Sequence, residues 1–284
     1  MRLNAYILAA DPAFLTESVS AYYDLVETIV VSYDQNGRGW TGAPIPVETC
    51  LARLKELDRD RKMRFLPGDF ARLDYSPMEN ETYQRQQALN AAAEGADWVL
   101  QLDTDEVALD PGELVRSVEA ADAAGFRSLA YPSRQLYCEV APGTYLECAR
   151  RFARPAACFL GPVAVKGAVK LINARRSEAA SYHVGHSSKP PQGGMMAGIP
   201  VNRVVKLEQS IIHYSWIRSE GELRRKFASW SHATDRDWEP EVQYWLWAQR
   251  HPQRAVVRSL VRPGPSWRRH LRLVSLPPGR PKAQ

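Results

Sequence analysis

Hydrophobic positions in the first hundred residues alternate between short β-type runs and helical spacing. Asn4–Ala10 is an apolar run ending at Asp11-Pro12, and Phe14, Leu15, Val19, Tyr22, Tyr23 and Val26 then recur at helical intervals. Thr28–Tyr33 is β-branched and apolar, ends at Asp34, and enters the Gly-rich loop Gln35–Gly42. Val47, Leu51, Leu54 and Leu57 mark a second helix, Met63–Leu66 a third strand, and Glu81–Glu94 a third helix closed by Gly95. Trp98–Leu102 reads as a fourth strand, running into Asp103-Thr104-Asp105-Glu106. Strands separated by helices predict an α/β fold with a mostly parallel sheet covered on both faces.

The second half is less regular. Ser128–Tyr131, Val165–Ile172 and Val204–Ile212 read as strands and Glu220–Ser231 as a helix. Between them, Ser187–Pro200 has the Pro-Pro and Gly-Gly chemistry of a hinged loop, expected to close over a bound ligand. Trp216, Trp230, Trp238, Trp245 and Trp247 suit a C-terminal helical core, with stacking on a sugar as the alternative. The Pro/Arg-rich residues 263–284 read as a disordered basic tail. The expected organisation is a domain over 1–215 (a nucleotide-binding half, 1–110, and an acceptor half, 111–215), a helical extension over 216–262, and the tail.

Composition narrows the class. With 284 residues, 45% hydrophobic and 24% charged, the chain can bury a sizeable core, and it has no apolar run long enough to cross a bilayer. Neither a zinc pattern nor a disulfide framework fits Cys50, Cys138, Cys148 and Cys158, so reduced thiols and a cytoplasmic setting are expected. The net charge is +5, yet residues 252–284 hold eight Lys and Arg and no acid, leaving the remainder net acidic. Such a tail suits acidic lipid headgroups at the inner face of a membrane, or simple solvation. Nucleic acid is disfavoured, because Trp267 is the tail's one aromatic residue.

Three predicted parallel strands end on acids, Asp11, Asp34 and Asp103, where open α/β sheets bind ligands. Turn chemistry accounts for an Asp at a strand end as well. Asp103 and Asp105 are two apart, so on an extended chain their side chains share a side, with Cα atoms about 6.5–7 Å apart. Hard oxygen donors so placed suit Mg²⁺ or Mn²⁺ shared with a diphosphate, and a solvated acidic turn after a buried strand is the alternative.

The stretch Arg85-Gln-Gln-Ala88-Leu89-Asn90, followed by Gly95-Ala-Asp97-Trp98-Val99-Leu100-Gln-Leu102-Asp103-Thr-Asp105-Glu106, resembles glycosyltransferase family 2 and its GT-A relatives. The resemblance covers residues 1–110 well and the rest loosely. It implies a GT-A-like, Rossmann-like mixed sheet and transfer of a sugar, with inversion, from a nucleotide-sugar donor, a UDP-sugar in particular, to a hydroxyl of a saccharide or lipid-linked acceptor. Asp34 would accept from the nucleobase, Arg85 would lie near base or diphosphate, Asp103 would face ribose and metal, and Asp105 would ligate the metal. Asp11 stands near the family's usual Asn-Glu and departs from it. A late histidine, here His213, supplies a further metal ligand in several GT-A enzymes; a hydrogen-bonded core residue is the alternative. His183 and His186 read as loop anchors. Glu139 and Glu147 are the acids that follow at distances suited to a general base, though neither sits in the family's Glu-Asp pattern, and a surface position is their default.

Two rival readings remain open. Leu102–Val107 also matches the nucleophile signature of haloacid-dehalogenase-like phosphatases, with Asp103 as nucleophile, although that family carries it on the first strand and needs a second acidic pair at the end of a later apolar strand, whereas Asp235 and Asp237 follow a polar segment. The other is a non-catalytic nucleotide-sugar-binding protein.

Overall fold

The computed structural model describes residues 1–158, 161–189 and 198–276. The first half follows the hydrophobic pattern: β1 (Leu3–Leu8), α1 (Leu15–Tyr22), β2 (Ile29–Asp34), α2 (Val47–Leu57), β3 (Met63–Gly68), α3 (Pro77–Ala92) and β4 (Trp98–Leu100). Helix α3 starts earlier than its apolar spacing suggests. Ser76 accepts from the Glu79 amide while the Glu79 carboxylate takes the Ser76 N–H, and Pro77 opens the first turn.

Beyond β4 come β5 (Glu106–Ala108), α4 (Pro111–Ala123), β6 (Ser128–Ala130), β7 (Ser133–Ala141), β8 (Thr144–Arg150) and β9 (Arg154–Pro155). They are followed by β10 (Ala164–Lys166), β11 (Leu171–Asn173), β12 (Arg176–Ser177), β13 (Ser181–Gly185), β14 (Arg203–Val204) and β15 (Ile211–His213). The chain then forms α5 (Glu220–Ser229), α6 (Glu239–Arg250), α7 (Pro252–Val261) and β16 (His270–Ser275).

The main sheet runs β14-β13-β6-β10-β4-β1-β2-β3, parallel throughout β4-β1-β2-β3 and antiparallel on both sides of β10. Pro67 sits on the edge strand β3, where a missing N–H is tolerated. Leu15, Val19, Leu54, Leu114 and Val118 from α1, α2 and α4 pack with Ile7 and Val31 on one face. Ala88, Leu89 and Ala92 of α3 pack with Tyr6, Val30 and Val99 on the other. The molecule is therefore mixed α/β with a mostly parallel sheet covered by helices on both faces.

A second sheet, β16-β8-β7-β15-β5, crosses the boundary expected at residue 215. Its hairpin β7–β8 carries Tyr137 and Leu146 into one cluster with Trp216, Phe227, Trp245 and Leu271. Trp267 stacks on Trp216 with ring centroids 4.8 Å apart, so the tryptophans do build a core. The tail reading is corrected over 263–276. His270–Ser275 pairs along its full length with residues 144–149 of β8, and Arg268 and Arg272 form ion pairs with Glu241 and Glu147. Proline-rich composition concealed a strand whose partner lies more than a hundred residues upstream. Residues 277–284 lie outside the described residues.

Two strands read from apolar runs are each broken in two. Val165–Ile172 divides into β10 and β11, because a turn with Gly167 at φ +61° separates them. Val204–Ile212 divides into β14 and β15, because a 3₁₀ turn over Leu207–Gln209 lies between. Of the hinged loop Ser187–Pro200, residues 190–197 lie outside the described residues.

Candidate functional site

The parallel strands place the loops after β1, β2 and β4 at one end of the sheet. Strand β1 connects outward to β2 while β4 lies on its other side, so the crevice between β1 and β4 is the topological switch point. Asp11, Asp103 and Asp105 converge there.

The D-x-D segment takes the turn alternative rather than the extended one, though the turn is buried at Asp105 and Glu106 instead of solvated. β4 ends at Leu100, and the Glu106 N–H donates to the Asp103 carbonyl at 3.0 Å, closing a turn. Buried Glu106 locks this turn. One of its oxygens takes the Asp103 N–H at 3.0 Å, and both are held by the Arg175 guanidinium at 2.6 Å in a two-point fork. Ser18 on α1 adds its hydroxyl between the carbonyls of Asp103 and Glu106. Arg175 also donates to the Gln101 carbonyl, so the loop is fixed from three directions.

The turn sends the two carboxylates to different partners. Asp103 Oδ1 accepts from Arg85 Nη2 at 2.7 Å, and Arg85 Nε is held by Glu81 one turn earlier on α3. Arg85 is thereby held between two carboxylates, one on its own helix and one in the turn after β4. Asp105 Oδ2 accepts from Lys226 Nζ at 2.6 Å and from Arg218 Nη2 at 2.9 Å, and His213 Nε2 stands 3.3 Å from Asp105 Oδ1. Burial would raise the Asp105 carboxyl, but Lys226, His213 and Arg218 outweigh it and hold Asp105 well below the usual carboxylate range. Burial opposes ionisation of Asp103 too, and there Arg85 and Arg175 prevail.

Arg218 joins the ends of β1 and β4. It donates to Asp11 Oδ2 at 2.7 and 2.9 Å, to Asp105, and to the carbonyls of Tyr214 and Ser215. It was missed in the sequence because nothing near it marks it. Lys226 reaches the cluster because Leu223 and Phe227 turn that face of α5 inward, and Ser215 Oγ accepts a second ammonium proton at 2.8 Å. Side-chain exposure distinguishes the groups a ligand can reach, at 32% for Asp103, 29% for Asp11 and 17% for Lys226, from Arg218 at zero.

Other expected residues lie elsewhere. Asp34 is 2% exposed and its carboxylate is taken by the N–H groups of Asn36, Arg38 and Phe70, so it shapes the loop after β2 rather than presenting an oxygen to a nucleobase. Glu147 is fully buried on β8 between Arg134 and Arg272, each within 2.6 Å, which corrects its surface placement and removes it from general-base duty. Glu139 accepts the Gly143 N–H in the β7–β8 hairpin. His186 bridges the Val205 carbonyl and the Ser210 hydroxyl, a loop anchor as expected. Asp235 pairs with His232 in an exposed turn, and neither it nor Asp237 joins the cluster, so the phosphatase reading lacks its second acidic pair.

Asp103, Asp105 and His213 are chemically suited to Mn²⁺ or Mg²⁺. Their arrangement does not fit such an ion. Arg85 holds one Asp103 oxygen, two cations hold Asp105, and no group of three or more His, Cys, Asp or Glu side chains that could hold a metal stands together among the described residues.

No family model matches the chain, and no curated protein does. Among solved structures it is similar to mannose-6-phosphate isomerase from Helicobacter pylori, with 11% identity and a TM-score of 0.30 over 50% of this chain and 53% of that one. It is also similar to mannose-1-phosphate geranyltransferase from Thermus thermophilus, with 13% identity and a TM-score of 0.30 over 59% and 50%. The chain spans about half the length of these structures. Superposition at that level carries no functional argument, which rests instead on the cluster.

Proposed function

We propose that the protein is a GT-A-like glycosyltransferase that binds a nucleoside-diphosphate sugar, with uridine as the base, in the crevice between β1 and β4, and transfers the sugar to a hydroxyl of a saccharide or lipid-linked acceptor. The observation that supports this reading most is the pairing of Arg85 on α3 with Asp103 in the locked turn after β4, at the switch point of the parallel sheet.

In this reading the accessible oxygen of Asp103 faces the ribose, and Arg85 keeps that carboxylate ionised and oriented. Lys226 uses two ammonium protons on Asp105 and Ser215, which leaves its third for a phosphate oxygen of the leaving diphosphate. Asp105 positions Lys226, and Arg218 holds Asp105 beside Asp11. No step is assigned to a metal ion, because the carboxylates that would hold one already carry cationic side chains.

The test is calorimetric titration with UDP, UMP and uridine, repeated with chelator and with Mn²⁺, followed by a donor-hydrolysis screen across nucleotide sugars. UDP is expected to bind more tightly than UMP, and Asp103→Asn to weaken it about tenfold or more, the loss of one charge-assisted bond. Absence of nucleoside-diphosphate binding under every condition overturns the reading. Phosphate trapped covalently on Asp103 would establish the phosphatase alternative.

A further inference from the structure

Helix α7 presents an outer face that nothing among the described residues covers. Its inner face is defined by Ala255 and Ser259, both buried, and Ser259 binds the β16 backbone through its hydroxyl to the Leu271 N–H at 3.1 Å. That contact fixes which side faces out. Val257 is 61% exposed, Val261 75% and Leu260 38%, and these three form one strip along the helix. Beside it runs a second strip, Arg254, Arg258 and Arg262, spaced four apart and exposed. Leu273 of β16, on the same sheet face as buried Leu271, adds exposed apolar surface next to the helix.

Charge in this region is one-sided. From residue 242 onward the sequence has no Asp or Glu. The nearby acids are already neutralised, Glu241 by Arg268 and Glu147 by Arg134 and Arg272. Arg258 lies over the rings of Trp247 and Tyr244, which holds its guanidinium at the surface beside the apolar strip.

We propose that the outer face of α7 is an interfacial docking surface for an anionic lipid bilayer. Apolar and arginine strips lying side by side on a short helix that is fixed to the body match the headgroup and acyl boundary, where valine and leucine enter the hydrocarbon edge and guanidiniums pair with lipid phosphates. Complementary charge selects the anionic surface, and the apolar strip distinguishes insertion from simple adsorption. The proposal does not depend on the transferase reading.

Co-sedimentation of the full chain with phosphatidylcholine vesicles, and with vesicles also containing phosphatidylglycerol, tests it. The protein is expected to bind only the anionic vesicles and to lose affinity as salt rises. At about fivefold per arginine near the surface, the Arg254→Gln, Arg258→Gln, Arg262→Gln triple variant should bind roughly a hundredfold more weakly. The Val257→Gln, Val261→Gln variant changes no charge, and it should also lose most binding while melting like the wild type. The proposal is overturned by absence of binding to anionic vesicles, or by binding that the valine variant leaves intact. It is overturned equally by a dimer in velocity sedimentation that the valine variant dissociates, which would make the face a contact between copies of this chain.

Discussion

Replacing Asp105 with Asn is the most informative single perturbation of the cluster. The carboxylate is 4% exposed and faces Lys226 at 2.6 Å, Arg218 at 2.9 Å and His213 at 3.3 Å. Removing one member of a buried ion pair costs about 3–5 kcal/mol, because the remaining charge is left without compensation. Two features soften that cost here. Arg218 keeps Asp11 and two backbone carbonyls, and Lys226 keeps Ser215 and some contact with water. The lower end, about 3 kcal/mol, is therefore expected, which for a chain of this size lowers the melting temperature by roughly 6–12 °C. Scanning calorimetry near neutral pH reads it. The pH dependence carries the same information, since Asp105 ionises in the folded state well below its unfolded value. Its contribution is complete above an unfolded pKa of about 4 and is lost as pH falls through the folded value. Asp105→Asn should therefore differ most from wild type near neutrality and converge with it in acid. Adding Lys226→Met removes one uncompensated cation, so the double variant should be more stable than the sum of the single losses by about 1–3 kcal/mol. An Asp105→Asn protein melting within a degree or two of wild type, or strictly additive losses, would refute the account of the cluster.

Glu147→Gln is expected to lower stability by about 3–5 kcal/mol in thermal unfolding, whereas a general base at that position would lower turnover and leave melting unchanged. His213→Ala should cost about 1–3 kcal/mol by removing a half-buried side chain beside Asp105, and the wild-type melting temperature should not respond to Mn²⁺ in differential scanning fluorimetry. Gly39→Ala would put a methyl group 2.8 Å from the Cβ and the carbonyl oxygen of Ser229 at the end of α5. It should lower stability by about 1–3 kcal/mol and weaken nucleotide binding by shifting the helix that carries Lys226.

The parallel half of the fold was legible because each element there buries a regular face: the apolar runs of β1, β2 and β4 and the 3.6-residue spacing of α1 and α2 needed no tertiary information. Arg85 was singled out by the family resemblance, and its partner Glu81, four residues earlier on α3, was not foreseen. Asp103 and Asp105 were found by type but placed wrongly. Their expected common direction assumed a strand, and Glu106, held by Arg175 from 69 residues away, folds that segment into a turn instead. Lys226 and Arg218 carry no local signal, since a lysine on a polar helix and an arginine in a loop acquire meaning only from what they meet. The opposite error was made with β16. Leu271 and Leu273 alternate as a strand should, but the surrounding Pro and Arg content masked a segment that the β7–β8 hairpin holds in place.

Arg218 lies 207 residues after Asp11 and 113 after Asp105, and Lys226 lies 121 after Asp105. During synthesis the β1–β4 sheet can therefore collapse long before the cations that balance its rim have been made. Over that interval Asp11 and Asp105 lack the arginine that later bridges them, while β1 and β4 are already able to pair. Emergence of the segment from Arg218 to Lys226 supplies the cations that bridge Asp11 to Asp105 and complete the rim. The charged rim after β1 and β4 is thus completed late, and the closure of these distant contacts is the slow event expected in folding.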